Sequence, residues 1–143
     1  MRLMPQSAES PAYLLDSSAV IALLMDSHIH RLRVIRWIES SPKRVALCSL
    51  TQGAFLRAYL RGQPDATFAK GIQVLEDLAD FPEVTFITDS GNYLDVPARG
   101  IRGHRQVTDG YLAHLAAKNN LTLATLDMAQ AALYPDSTYF ITE

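Results

Sequence analysis

Short apolar segments alternate with helix-period segments along the whole of this 143-residue chain. Such an alternation is typical of a largely parallel sheet that is covered by helices on both faces. We therefore expect a three-layer α/β/α fold around a central, mostly parallel sheet of four or five strands. The patterns predict strands over 13–16, 44–48, 84–88, 122–126 and 139–141, and helices over 19–25, 30–40, 51–61, 66–78, 107–119 and 128–133.

No repeat, low-complexity tract or long linker divides the chain, so we expect a single domain over residues 12–143. Residues 1–11 are polar and contain two prolines, which indicates a flexible N-terminal segment. The longest apolar run, Ala19 to Met25, is too short to span a bilayer, and we expect no membrane segment. The single cysteine, Cys48, cannot form an internal disulfide, which is compatible with the cytoplasmic location that we expect.

An acid follows each of two predicted strands. Asp16 interrupts the apolar run YLLDSSAVIALL, and Asp127 ends the segment LTLATLD. In parallel sheets the carboxyl ends of the strands meet at one edge, where ligands gather, so the two acids should open toward the same cleft. Either acid could instead simply cap the helix that follows it.

Two further polar side chains lie in the first turns of predicted helices. Asp109 shares a helix face with Leu112 and Ala116, so its carboxylate should point inward, where apolar neighbours make a partner necessary. Backbone amides could be that partner. Gln52 shares a face with Phe55, and a hydrogen-bonded amide in the core would explain it equally well.

Together these positions predict three carboxylates and one amide around one cleft. Carboxylates that close together repel one another unless a cation lies among them. Oxygen ligands without nearby Cys or His favour a hard ion, Mg²⁺ or Mn²⁺, over zinc. Such an ion is suited to the hydrolysis of phosphodiester bonds.

Four segments of the chain, in order, resemble PIN-domain ribonucleases, and more narrowly the VapC toxins of bacterial toxin–antitoxin pairs. They are YLLDSSAVIAL at 13–23, SLTQGAFLR at 49–57, RGHRQVTDGYLAHLA at 102–116 and LTLATLD at 121–127. The resemblance implies a PIN-like fold and an endoribonuclease that uses Mg²⁺ or Mn²⁺. It also implies an RNA substrate, a cognate antitoxin that holds the enzyme inactive, and a homodimer.

The resemblance also assigns roles to residues. The family's catalytic and metal-binding acids fall on Asp16, Asp109 and Asp127, with Ser18 and Thr125 as hydroxyls that support the metal shell. Where the family usually carries Glu, this chain has Gln52, which we also place in that shell. An amide adds no negative charge, so the metal should bind less tightly. The alternative is a catalytically weak or silent PIN-fold protein that binds RNA or antitoxin.

The overall charge of −2 does not indicate a nucleic-acid binder, but the basic residues are mostly Arg and are clustered. The segment from Arg99 to Arg105 contains two glycines and suggests a mobile, basic lip that contacts RNA phosphates. An ordinary loop that enters a helix is the alternative. We predict RNA contacts for Arg57, Arg102, His104 and Arg105, and interpret His28 and His30 as polar loop residues.

Overall fold

The computed structural model describes residues 1–7 and 9–142 of the chain. Strands and helices alternate as predicted, with boundaries that differ from the sequence-based ones by at most a few residues. The strands are β1 Ala12–Leu15, β2 Arg44–Leu47, β3 Val84–Phe86, β4 Thr122–Thr125 and β5 Thr138–Phe140. The helices are α1 Ser17–Leu24, α2 Arg31–Glu39, α3 Ser49–Gly62, α4 Phe68–Ala79, α5 Val107–Lys118 and α6 Met128–Leu133.

The five strands form one sheet in the order β3-β2-β1-β4-β5, and every neighbouring pair is parallel. The first strand of the chain is thus the middle strand of the sheet. In β1, Leu14 and Leu15 point to opposite faces and both are fully buried, as expected for a parallel strand that is covered on both sides.

Two apolar clusters lie on the two faces of the sheet. Leu15, Val45 and Leu47 pack with side chains of α1 to α4, including Val20, Ile38, Phe55 and Leu78. Leu14, Ala46 and Leu123 pack with α5, including Leu112 and Leu115. The predicted three-layer α/β/α fold is confirmed, and the sheet has five strands, all of them parallel.

Two single-turn 3-10 helices, Tyr93–Asp95 and His104–Gln106, were not predicted. They lie in the long connection between β3 and α5. A single turn is too short to show a hydrophobic period, which is why the sequence pattern does not reveal it. The second of them leads directly into α5.

The N-terminal segment, predicted to be flexible, lies against the domain. The backbone N of Arg2 donates to Glu39 at 2.6 Å, and the partly buried Leu3 packs against the apolar cluster that contains Leu15. Arg44 Nη2 donates to the carbonyl of Ser10 at 3.1 Å. None of the helices in residues 1–7 and 9–142 is long and apolar enough to cross a membrane.

Helices α3 and α4 pack closely through a glycine, which gives a test of the fold. A Cβ added at Gly71 would lie 2.7 Å from Leu56 Cδ2 and 3.2 Å from the ring of Tyr59. We expect Gly71→Ala to lower the free energy of unfolding by about 1–3 kcal/mol, because overpacking outweighs the better helix propensity of Ala. Urea denaturation measures this change.

Gly53→Ala is the matched control. This glycine is also helical, but its added Cβ would meet only the end of the Arg57 side chain, at 3.3 Å. Since that side chain can move aside, the change should be neutral or stabilising by up to about 1 kcal/mol. Equal destabilisation by both substitutions would contradict the packing argument.

Candidate active site

The carboxyl ends of β1 and β4 bring two of the predicted acids to one edge of the sheet. Leu15 pairs with Ala124 in the register of these strands, and the backbone N of Asp16 donates to the carbonyl of Ala124 at 3.0 Å. Asp16 follows β1, and Asp127 follows β4 by two residues. The parallel sheet therefore places both acids at the same edge, as predicted.

The Asp16 carboxylate is 3% exposed and accepts three hydrogen bonds. Its Oδ1 accepts from Ser18 Oγ at 2.6 Å and from the backbone N of Ala19 at 2.8 Å, and its Oδ2 accepts from Thr125 Oγ1. Asp16 is thus the N-cap of α1 and a member of the acid cluster at once. Burial raises its pKa more than these hydrogen bonds lower it, and the charge of Asp127 raises it further.

Ser18 and Thr125, the two hydroxyls predicted to support the site, connect β4 to the start of α1. Ser18 Oγ accepts from the backbone N of Leu126 at 3.2 Å while it donates to Asp16. Thr125 is fully buried, and its Oγ1 accepts from the backbone N of Asp127 at 2.9 Å while it donates to Asp16. These contacts hold the two acidic positions in a fixed relation.

Asp127 is exposed and caps α6. Its Oδ1 accepts from the backbone N of Ala129 at 2.9 Å and of Gln130 at 3.3 Å. Both strand-end acids therefore perform the capping role that the sequence left open. Capping by Asp127 uses one of its two carboxylate oxygens, and the other accepts no hydrogen bond within residues 1–7 and 9–142.

Asp109 lies in the first turn of α5, half-buried, as predicted. Its carboxylate receives no hydrogen bond from the residues that the structure describes, so the partner expected from the sequence is not a backbone amide there. Its pKa is raised to about 6, first by burial and then by the negative charges of Asp16 and Asp127. The repulsion shows that the three acids are electrostatically coupled across one site.

Gln130 belongs to this cluster and was missed by the sequence analysis. It is 2% exposed, its Oε1 lies 3.3 Å from Thr125 Oγ1, and its Nε2 donates to the carbonyl of Asp109 at 3.4 Å. The amide thus links α6 to β4 and to the first turn of α5. The available signal was a single amide within the otherwise apolar helix sequence MAQAAL.

Gln52 is predicted to support the metal shell. It lies in the first turn of α3 and is half-buried, but it lines a small cavity with residues of β2, α4 and β3, including Leu47, Leu75 and Phe86. This cavity is on the β3 side of β2, whereas Asp16 follows β1 on the other side. Its role in the metal shell stays a prediction.

The predicted RNA-binding residues are exposed. Arg57 Nη1 lies back over Gly53, toward the end of α3 that adjoins the strand ends. Arg102, His104 and Arg105 lie within the seven residues that precede Asp109 in sequence, the last two of them in the 3-10 helix that leads into α5.

The basic segment before α5 is anchored at two points. Tyr134 Oη donates to the carbonyl of Arg99 at 3.1 Å. A Cβ added at Gly110 would lie only 2.7 Å from Ile101 Cδ1, so the loop packs directly on the first turn of α5. Gly100 has a φ of +83°, a conformation that favours glycine.

The donor chemistry of the cluster suits a hard divalent ion, since it consists of carboxylate oxygens with hydroxyls beside them. In the described part of the chain, however, no group of three or more Asp, Glu, His or Cys side chains is arranged so that it could hold a metal ion without rearrangement. Ion binding would therefore require side chains to reorient. The carboxylate of Asp109 accepts no hydrogen bond from the described residues, so it can reorient without breaking one.

The chain is similar to known proteins over most of its length. The PIN domain family matches residues 13–134. Ribonuclease VapC29 of Mycobacterium tuberculosis is 36% identical over 123 residues, which cover 86% of this chain and 91% of that protein.

Two solved structures share the fold. PAE2754 from Pyrobaculum aerophilum superimposes with a TM-score of 0.60 at 20% identity, and the match covers 92% of both chains. VapC20 of Mycobacterium tuberculosis, described as a sarcin-ricin loop cleaving toxin, gives a TM-score of 0.63 at 12% identity over 84% of this chain and 93% of that one.

The raised pKa of Asp109 predicts a pH-dependent stability. The pKa is about 6 in the folded protein and 3.8 in the reference state, so the folded state binds more protons between these values. The free energy of unfolding should therefore fall as the pH rises from about 4 to about 6. Asp109→Asn should remove this loss and stabilise the metal-free protein by about 1 kcal/mol above pH 7, after allowance for solvent screening.

Urea denaturation in EDTA at about pH 4 and about pH 7.5 measures this difference, and almost no gain is expected at the lower pH. Asp136→Asn, at an exposed acid in the loop after α6, is the control for the loss of a carboxylate outside the cluster. A gain from Asp109→Asn that does not depend on pH would contradict the raised pKa of Asp109.

Proposed function

The chain belongs to the PIN-domain family, and we propose that it is an endoribonuclease of the VapC type, the toxin of a toxin–antitoxin pair. The observation that carries this proposal is the coupled group of Asp16, Asp109 and Asp127 at the edge of a parallel sheet. The match to ribonuclease VapC29 over most of both chains supports it.

Asp16, Asp109 and Asp127 would hold Mg²⁺ or Mn²⁺. When bound, such an ion polarises the phosphodiester and lowers the pKa of a water molecule. The electrostatics of the acids support this assignment, because a cation would relieve the repulsion that raises the pKa of Asp109 to about 6.

The other residues of the site position these acids. Ser18 and Thr125 donate to the two oxygens of Asp16 and orient its carboxylate. Gln130 connects Thr125 to the carbonyl of Asp109 and so relates α5 to β4. These contacts lie on the interior side of the acids, so they restrict the positions in which the carboxylates could face a phosphate.

Arg57, Arg102, His104 and Arg105 would contact RNA phosphates. Their exposure and the position of the last three at the entry to α5 support this role. Phosphate contacts position a nucleic acid without reading its bases, so these residues should contribute affinity and salt dependence. The cognate antitoxin, a homodimeric assembly and a cytoplasmic site of action follow from the family relationship and belong to the same proposal.

A second candidate function is a weak or silent PIN-fold protein that binds RNA or antitoxin without cleavage. The observation that favours it is the amide at position 52. The position of Gln52 weakens this alternative, because the residue lines a cavity with side chains of β3 and α4, on the side of β2 away from β1 and Asp16.

Substitution of the acids tests the proposed nuclease. Asp16→Asn, Asp109→Asn and Asp127→Asn should each lower Mg²⁺-dependent or Mn²⁺-dependent RNA cleavage by at least about a hundredfold, because each removes a charge from the site. Each variant should also lose toxicity when it is expressed without an antitoxin. Cleavage of labelled total RNA and growth curves are the measurements.

The substitutions keep the size of each side chain, and circular dichroism checks that each variant folds. Asp136→Asn serves as the control for a carboxylate outside the cluster, and EDTA should abolish cleavage by the unmodified protein. Full cleavage by all three variants would remove the catalytic assignment.

Gln52→Glu separates the two candidate functions. If the enzyme works with three acids, the extra carboxylate should change cleavage by no more than about threefold, because Gln52 lines the cavity beside β3. A gain of about a hundredfold or more would instead favour a protein that is silent because it lacks this charge. Initial rates over a Mg²⁺ titration distinguish a change in metal affinity from a change in turnover.

A further inference from the structure

An open groove adjoins the acid cluster on the side of the loop between α1 and α2. Its volume of about 520 Å³ falls in the range, roughly 300–1,000 Å³, of sites that bind small ligands. It is lined by Ser18, Ile21, His28, His30, Leu126, Asp127 and Met128. Two histidines interpreted from the sequence as polar loop residues are thus brought beside Asp127.

The geometry of the loop determines the chemical form of His28. The backbone N of His30 donates to His28 Nδ1 at 3.1 Å, so Nδ1 carries no proton and His28 Nε2 is the remaining donor. The two rings lie 5.8 Å apart with an angle of 46° between their planes. The groove therefore presents two half-buried flat rings, one of them an uncharged imidazole with a defined donor.

Apart from Ser18 and Asp127, which the groove shares with the acid cluster, the rest of its lining is apolar and carries no Arg or Lys among the described residues. Ile21, Leu126 and Met128 line it, and Met128 is 67% exposed at its rim. Phosphate groups are normally held by Arg, Lys or backbone amides, whereas bases stack on flat or apolar side chains. The lining therefore suits a nucleobase better than a phosphate.

The groove is continuous with the acid cluster through two shared residues. Ser18 lines it and donates to Asp16, and Asp127 lines it and couples to Asp109. A strand whose phosphate lies at the acids would therefore pass a neighbouring nucleotide into the groove. We propose that His28, His30 and Met128 form a subsite that binds one unpaired base of single-stranded RNA beside the phosphate to be cleaved.

This proposal rests on the proposed ribonuclease function and deepens it. It divides the contacts to RNA into two kinds: phosphate contacts from the exposed arginines, and base contacts from the two histidines and the apolar side chains of the groove. Only the second kind can give the enzyme a preference for sequence, because phosphates are the same at every position. The groove is thus the place to look for sequence preference.

Binding to two matched probes tests the subsite. One is a fluorescein-labelled 2′-O-methyl decaribonucleotide of mixed sequence, and the other has the same backbone without bases. The double variant His28→Ala/His30→Ala should bind the first probe roughly tenfold more weakly than the unmodified protein in Mg²⁺, and the second within about twofold. Fluorescence anisotropy measures both affinities.

His114→Ala is the matched control, because this histidine lies on α5, on the opposite face of the sheet, and should leave both affinities unchanged. His28→Phe/His30→Phe keeps two flat rings and should retain affinity for the first probe within about threefold. The salt dependence of binding should be the same in all variants, since no phosphate contact is removed.

Three results would overturn the subsite. The first is an unchanged affinity of the Ala variant for the first probe, which would favour a protein segment as the occupant of the groove. The second is an equal loss of affinity of the Ala variant for the probe without bases. The third is an equal loss of affinity for the first probe in the Phe variant. Cleavage of unmodified RNA by the unmodified protein is scored in parallel. If cleavage is seen and one of these results is obtained, the subsite fails and the nuclease stands; if RNA is neither bound nor cleaved, both fail.

Discussion

The burial of the Asp16 carboxylate at the end of the middle strand is the constraint on which the rest of the site depends. A buried carboxylate is costly unless its oxygens are hydrogen-bonded, and here the donors come from two distant parts of the chain. Ser18 and Ala19 are close to Asp16 in sequence, but Thr125 comes within hydrogen-bond distance of Asp16 only when β4 pairs with β1. The acid is therefore accommodated only in the completed fold.

The same burial raises the affinity of the site for protons and cations. The three hydrogen bonds do not fully offset the loss of hydration, so the pKa of Asp16 remains raised. The pKa of Asp109 is raised by its own burial and then by the charges of Asp16 and Asp127. A cluster of this kind binds protons more readily than isolated carboxylates do, and a divalent ion can take the place of those protons. The exposed position of Asp127 leaves one side of the cluster open to solvent and to a substrate.

Local sequence patterns were sufficient for most of the fold, and for placing three acids at strand ends and in a first helical turn, because these features can be read from hydrophobic periodicity. They could not show which elements surround Gln52. Periodicity shows which side of α3 faces the core, but the strands beneath it depend on the order β3-β2-β1, which long-range pairing decides. Gln130 and the groove beside His28 arise in the same way, from contacts between elements that are distant along the chain.

Thr125 shows why residues that do not face the substrate can control this site. Its hydroxyl has one proton and two acceptors within reach, Asp16 Oδ2 and Gln130 Oε1, and the ionised carboxylate is the stronger acceptor. The same oxygen accepts from the backbone of Asp127, and Gln130 continues the connection to Asp109. One buried hydroxyl thus relates all three acids, so a change behind the site can alter their separation without any change in their number or charge.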